Sequence, residues 1–222
     1  CRSPHTSSAE MTYGHMAADV TSLMADLGCN RYSVLGHSLG GKIASYIALE
    51  DQKDKHDATI LSAIVVDMAP IDHGALGNSM SKIFEAMRDL DMFQVTSLTS
   101  ANQALREKIA EPAVRAFVLT NLLQDQAGHW KWRCNLPALI EARSPLFSFP
   151  AELQHRHFSG PSLFIRGEHS EYVPLSAYPD ILRHFPTADI QTVSNAGHWV
   201  HADKPQEFTE LVSNFLRSQH AS

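Results

Sequence analysis

The chain has 222 residues, 44% of them hydrophobic and 19% charged, ordinary figures for a globular domain able to bury a core of its own. A net charge of −6, with no basic run or aromatic-interleaved patch, argues against a nucleic-acid partner, and no apolar stretch approaches the length of a transmembrane helix. Three cysteines, Cys1, Cys29 and Cys134, form no C-x-x-C pair and leave one over in any disulfide scheme, which fits a reducing compartment.

In chain order, residues 11–27 read as a helix with Met16, Val20, Leu23 and Leu27 on one face and Gly28 past its end. A strand follows at 31–35. It runs into Gly36-His37-Ser38-Leu39-Gly40-Gly41, and a helix extends from there to Glu50. Strand, tight turn with Ser38 at its apex, and helix make the arrangement known as a nucleophile elbow. The turn pushes the serine hydroxyl into a cleft, so its flanks need almost no side chain. Gly36 and Gly40 are both expected to supply that room. The helix N-terminus behind Ser38 offers free N–H groups to a developing oxyanion, Leu39 first among them. The tract 51–57 reads as a charged solvent loop.

Residues 60–66 form a continuous apolar run, as suits a strand buried on both faces of a parallel sheet, and it ends at Asp67. An aspartate at the carboxyl tip of such a strand lies where ligands bind in open α/β sheets. From Ala69 to about Pro150 the β/α alternation stops, and helices are expected near 79–91, 99–110 and 112–123. This reads as a helical lid inserted at about 71–150. Its Met80, Phe84, Met87, Met92, Phe93, Phe117 and Trp130 are either lid core or the lining of an acyl pocket, and 145–150 forms the hinge back. A strand at 162–166, a helix near 176–185, a strand at 189–193 and an amphipathic helix near 205–217 complete the chain.

A serine in an elbow needs a base and an acid, in the chain order Ser, Asp or Glu, His. His198 stands on a Gly-containing loop after a late strand, where the base belongs. Asp67 is preferred as the acid over Glu168 and Glu171, which follow the strand at 162–166. His201 reads as structural because no third ligand is spaced for zinc. His37 is expected to pack beside the site, within the group of oxyanion and substrate-binding residues formed with Leu39. No metal or organic cofactor is required, and the partner is a small-molecule ester.

The elbow, Val66-Asp67-Met68-Ala69-Pro70, the tract Phe117-Val118-Leu119-Thr120-Asn121-Leu122, Trp130-Lys131-Trp132-Arg133, and Asn195-Ala196-Gly197-His198-Trp199-Val200-His201-Ala202-Asp203-Lys204-Pro205 occur together here. In these tracts the chain resembles the α/β-hydrolase domain-containing protein 11 family, with the YbfF-type esterases and yeast ethanol acetyltransferases as related members. The resemblance implies an α/β-hydrolase fold, a mostly parallel sheet of eight strands wrapped by helices with a helical lid. It also implies an acid at the position of Asp67. An acid in an Asn-Leu-Asp segment after the lid, as in some animal relatives, has no counterpart, because the segment here reads Asn135-Leu136-Pro137.

Against that pattern the chain is expected to be N-terminally truncated, lacking the first strands and the His-Gly oxyanion loop. The strand carrying Ser38 would then present an unpaired apolar edge. The resemblance implies mitochondria for a eukaryotic source and cytoplasm for a bacterial one. The expected activity is hydrolysis of short- to medium-chain carboxylic esters through Ser38, His198 and Asp67. The alternatives are alcohol O-acyl transfer by the same triad, or an interaction protein impaired in catalysis by the missing loop.

Overall fold

The computed structural model describes residues 7–50 and 59–220, so the tract 51–57 lies outside the described residues. In chain order the elements are α1 (Tyr13–Asp26), β1 (Arg31–His37), α2 (Leu39–Glu50), β2 (Thr59–Val66), α3 (Gly74–Arg88), α4 (Leu98–Leu105), α5 (Pro112–Leu119), β3 (Leu122–Gln124) and β4 (Trp130–Trp132). They continue with α6 (Leu136–Glu141), α7 (Arg143–Phe147), β5 (Ser162–Gly167), α8 (Tyr178–His184), β6 (Ala188–Val193), α9 (Val200–Asp203) and α10 (Pro205–His220). They fall into two compact units. One comprises Tyr13–His73 and Ser148–Ser222, the other Gly74–Phe147 with the segment ending at Thr12.

The first unit is built on a four-stranded sheet in the order β1-β2-β5-β6, and each neighbouring pair is parallel. The apolar run of β2 is covered on both faces. Ala63 and Val65 join a core with Val34, Ile47, Phe164 and Phe185, while Ile64 and Val66 join Leu163, Ile165 and Val193 against Phe208, Leu211 and Phe215 of α10. β1 instead alternates, with Tyr32, Val34 and Gly36 buried and Arg31, Ser33 and Leu35 exposed. Among the described residues β1 pairs with β2 alone and leaves Leu35 half exposed.

The face of α1 differs from the expectation. Val20, Leu23 and Leu27 are exposed, whereas Tyr13 and Ala17, one turn apart, are buried and Met24 packs beside them. The small Ala17 side chain and the flat Tyr13 ring permit closer contact with the core than a branched apolar stripe does, so packing overrides the longest apolar periodicity.

The second unit has its own core of Ala86, Met87, Leu105, Ile109, Val118 and Leu136, with Phe84 packed against it. Phe84 and Met87 therefore belong to the interior of this unit, while Phe93 is 98% exposed. The helix expected over 112–123 ends at Leu119, and the chain enters an antiparallel pair, β3 with β4, which periodicity did not reveal. Its turn is held by the Asp125 carboxylate, which accepts from the N–H groups of Ala127 and His129, and by Gly128 at φ 87°. Two short helices, α6 and α7, also went unpredicted, and the units divide between Phe147 and Ser148, inside the expected hinge. On the sheet unit's side, Lys42 Nζ donates to the Ser148 carbonyl at 2.9 Å and the Phe149 N–H donates to the Asp72 carboxylate.

Candidate active site

The site lies at the carboxyl ends of the parallel strands, where the strand register aligns the tips of β1, β2, β5 and β6. His37 is opposite Val66, Val66 opposite Ile165, and Gly167 opposite Val193. Ser38 follows β1 in the left-handed region at φ 55°, and its N–H donates to the Val66 carbonyl at 3.0 Å. Among the described non-glycine residues only Ser38, Asp67 and Asn195 have positive φ. All three sit on the loops that form this site, so the local strain is concentrated there.

Only one of the two glycines flanking the turn is demanded by space. A Cβ on Gly36 would lie 1.9 Å from the Gly40 carbonyl oxygen, whereas a Cβ on Gly40 would meet nothing within 4 Å. The expectation that both supply room is corrected: the close approach is from the Gly36 α-carbon to the backbone at Gly40, and the Gly40 Cβ direction is open. Leu39 opens α2, so its N–H, at the first helical position, has no intrahelical acceptor.

Asp67 is fully buried, and its carboxylate is surrounded by donors. Oδ1 accepts from the Gly167 N–H at 2.9 Å, and Oδ2 accepts from His198 Nδ1–H at 2.7 Å and from the Ser170 hydroxyl. Three donors and no competing acceptor satisfy an ionised carboxylate in a place where an unpaired charge would cost several kcal/mol, about 3–5 by analogy with broken buried pairs. With Nδ1 donating, the second nitrogen of His198 is an acceptor, and Ser38 Oγ stands 2.9 Å from it. Ser38, His198 and Asp67 thus meet across separations of 160 and 131 residues.

The loop carrying His198 is fixed from several directions. The Gly197 N–H donates to Asp203 Oδ2 at 2.8 Å, the Asn195 N–H to Glu168 Oε2 at 2.8 Å, and the His169 N–H to the Ala196 carbonyl at 2.9 Å. Gly167 lets the loop come close, since a Cβ there would sit 2.1 Å from the Gly197 carbonyl oxygen. Glu168 therefore supports the loop as a backbone acceptor, and Glu171 is exposed. Tyr172 stacks on the His198 ring, with centroids 3.9 Å apart and planes 23° from parallel. Burial, and after it the charges of Asp67 and Glu171, push the Tyr172 phenol up, so it stays neutral.

Sequence reasoning missed Ser170 and Tyr172. Ser170 sat between the two rival carboxylates, and nothing in its neighbours marks one hydroxyl as the partner of an aspartate 103 residues away.

His37 turns its ring to the same loop. Its Nε2–H donates to the His198 carbonyl at 2.7 Å, and its ring lies edge-on to His201 at 4.7 Å. Burial drives its pKa down to about 4, against the opposing pull of that hydrogen bond. His73, buried with Nε2 on the Tyr172 carbonyl, is lowered for the same reason.

A histidine whose folded pKa lies below its unfolded value leaves the unfolded chain to bind the proton first, so its contribution to stability falls as pH drops through that interval. Stability is expected to fall from about pH 6.5 toward pH 4, and His37→Gln to flatten part of that limb. Urea midpoints at about pH 7 and pH 5 test this, and parallel losses in both proteins would refute the assignment to His37.

Among the described residues no helix is long and apolar enough to cross a membrane, and no cluster of three or more His, Cys, Asp or Glu side chains is spaced to hold a metal ion.

A parallel α/β sheet with a serine on a strand–turn–helix elbow, and a histidine and a buried aspartate at the neighbouring strand tips, defines a class, and the sequence comparison agrees with it: residues 3–211 match the Alpha/beta hydrolase family, and the chain belongs to it. Within that family it groups with the ABHD11/YbfF-type members. It is 36% identical over 218 residues to the Mus musculus protein named sn-1-specific diacylglycerol lipase ABHD11, covering 96% of this chain and 67% of that protein. It is 28% identical over 208 residues to Esterase YbfF of Escherichia coli, covering 93% and 75%. Among solved structures, one described as a marine microorganism esterase superposes with a TM-score of 0.85 at 26% identity, over 92% of this chain and 77% of that one. The chain spans about two thirds of the length of the vertebrate relatives it matches.

Proposed function

We propose that the chain is a serine hydrolase that cleaves carboxylic esters through Ser38, His198 and Asp67. The observation that carries this reading is the continuous relay from Ser38 Oγ to His198 Nε2 at 2.9 Å and from His198 Nδ1 to Asp67 Oδ2 at 2.7 Å. The relatives' names, a diacylglycerol lipase and an esterase, support an ester of an alcohol as the substrate class.

In this mechanism Ser38 Oγ attacks the ester carbonyl carbon while its proton passes to His198 Nε2. The carbonyl π pair moves onto oxygen, and in this reading the Leu39 N–H donates to it. Collapse breaks the bond to the alcohol oxygen, which takes the proton from His198 and leaves. Water then gives a proton to His198 Nε2, attacks the acyl-Ser38 carbonyl and releases the acid as the proton returns to Ser38. Asp67 keeps the proton of the neutral ring on Nδ1 and stabilises the imidazolium formed in each half-reaction. An alcohol that enters in place of water resolves the same acyl-enzyme as transfer, so the two outcomes share every residue and differ in the acceptor.

The test is labelling by a fluorophosphonate probe and turnover of p-nitrophenyl esters of graded acyl length, with and without added ethanol, for the chain and its Ser38→Ala variant. Labelling and turnover of the chain are expected, with both lost in the variant although its circular dichroism is unchanged. Turnover persisting in Ser38→Ala overturns the mechanism. A folded chain that neither labels nor turns over favours an interaction protein.

A further inference from the structure

The following inference rests on the esterase reading and deepens it. His37 and Ser38 are consecutive, and each makes one hydrogen bond to His198. The hydroxyl bonds to the ring at 2.9 Å, and the His37 imidazole donates to the backbone carbonyl at 2.7 Å. Base and nucleophile are thereby closed into one small ring of covalent and hydrogen bonds. The two bonds do not survive equally through the reaction. Once Ser38 Oγ is esterified it has no proton to donate, so the contact between hydroxyl and ring is lost at the stage when His198 must turn to a water. The contact through His37 uses atoms that the reaction never touches.

We propose that His37 is a positioning residue for deacylation, holding the His198 backbone at the elbow after acylation has removed the serine's own hydrogen bond. Further observations agree with this role. The ring centroids of His37 and His198 are 4.7 Å apart, so the imidazolium formed in each half-reaction requires an uncharged neighbour, and burial keeps His37 uncharged to about pH 4. Asp67 and the stacked Tyr172 remain in place on the His198 ring, and the loop before it is held at Asn195, Ala196 and Gly197, so His37 supplies the hold on the carbonyl of His198 itself.

The experiment compares the chain with His37→Leu, which fills the space without a donor, and His37→Gln, which keeps an N–H. Stopped-flow hydrolysis of p-nitrophenyl acetate reads acylation as a burst and deacylation as the steady rate, and intact mass reads acetyl-Ser38. His37→Leu is expected to keep a burst rate within about twofold of the parent while its steady rate falls about tenfold, the net worth of one hydrogen bond. KM falls with kcat, and the acetyl-enzyme accumulates. His37→Gln recovers most of the steady rate.

Equal losses in burst and steady rate, or a Gln variant as slow as the Leu variant, overturn the proposal while leaving the esterase reading intact. Turnover that persists in Ser38→Ala overturns both. If the Leu variant does not fold, His37→Asn, whose shorter amide falls short of the carbonyl, replaces it and must show the same split between burst and steady rate.

Discussion

Asp67→Asn is expected to lower kcat for ester hydrolysis by about 10⁴-fold at neutral pH, the loss seen where an asparagine replaces a triad aspartate and the histidine adopts the wrong tautomer. The reason lies in the donors around the carboxylate. Gly167 N–H, Ser170 O–H and His198 Nδ1–H all point at Asp67, and an ionised carboxylate accepts all of them. An asparagine has one carbonyl oxygen and one NH₂. If the NH₂ takes the Oδ2 position it faces His198 and forces Nδ1 to accept, which puts the ring proton on Nε2, facing Ser38. The base can then no longer receive the serine proton.

Glu168 offers no rescue, because its carboxylate holds the Asn195 N–H at 2.8 Å and no contact joins it to the His198 ring. Glu168→Gln is expected to cost far less than Asp67→Asn. Steady-state kinetics on both variants, with circular dichroism to confirm folding, decide the matter. Asp67→Asn retaining activity within tenfold, or Glu168→Gln losing as much, would remove Asp67 from the role of acid.

Gly36→Ala is expected to be the most destabilising single-methyl substitution near the site. The added carbon would sit 1.9 Å from the Gly40 oxygen, 2.2 Å from its carbonyl carbon and 2.7 Å from the Gly41 nitrogen. All three are backbone atoms of the elbow, and no side chain is there to rotate away. Ordinary overpacking costs about 1–3 kcal/mol, and a clash with a backbone that cannot retreat belongs at or beyond the upper end. Gly40→Ala provides the contrast. Its Cβ enters open space near the start of α2, where exchanging glycine for alanine stabilises a helix by up to about 1 kcal/mol. Thermal and urea midpoints are expected to fall sharply for the first and to hold or rise for the second. Similar midpoints for the two would show that the elbow relaxes around the methyl group.

The spacing G-x-S-x-G, the apolar run before it and the helix former after it are local features, and the structure has the expected strand, turn and helix there. The run at 60–66 and the strand after the helical insertion are equally local: residues buried on both faces are mostly apolar, with Ser62 and Ser162 as buried polar exceptions, and that pattern survives without knowledge of neighbours. The hairpin at 122–132 and the short helices α6 and α7 were not legible, because segments of three to six residues carry too little periodicity to stand out. The exposed stripe of α1 failed for another reason, since an apolar period shows that a helix has a face but not which neighbour is close enough to cover it.

The elements that carry the candidate residues, and their order, are legible in the chain because secondary structure and turns depend on residues a few positions apart. What those residues touch is set by the fold. Sheet register brings the tips of β1, β2, β5 and β6 level, and the loops that leave those tips set Asp67 against His198, give its second oxygen to Ser170, lay Tyr172 on the imidazole, turn Glu168 to a backbone N–H, and join His37 to the carbonyl of His198. Hydrogen bonds and steric contacts act over about 3 to 4 Å in space whatever the distance along the chain, so pairs more than 100 residues apart become visible only once the chain has folded.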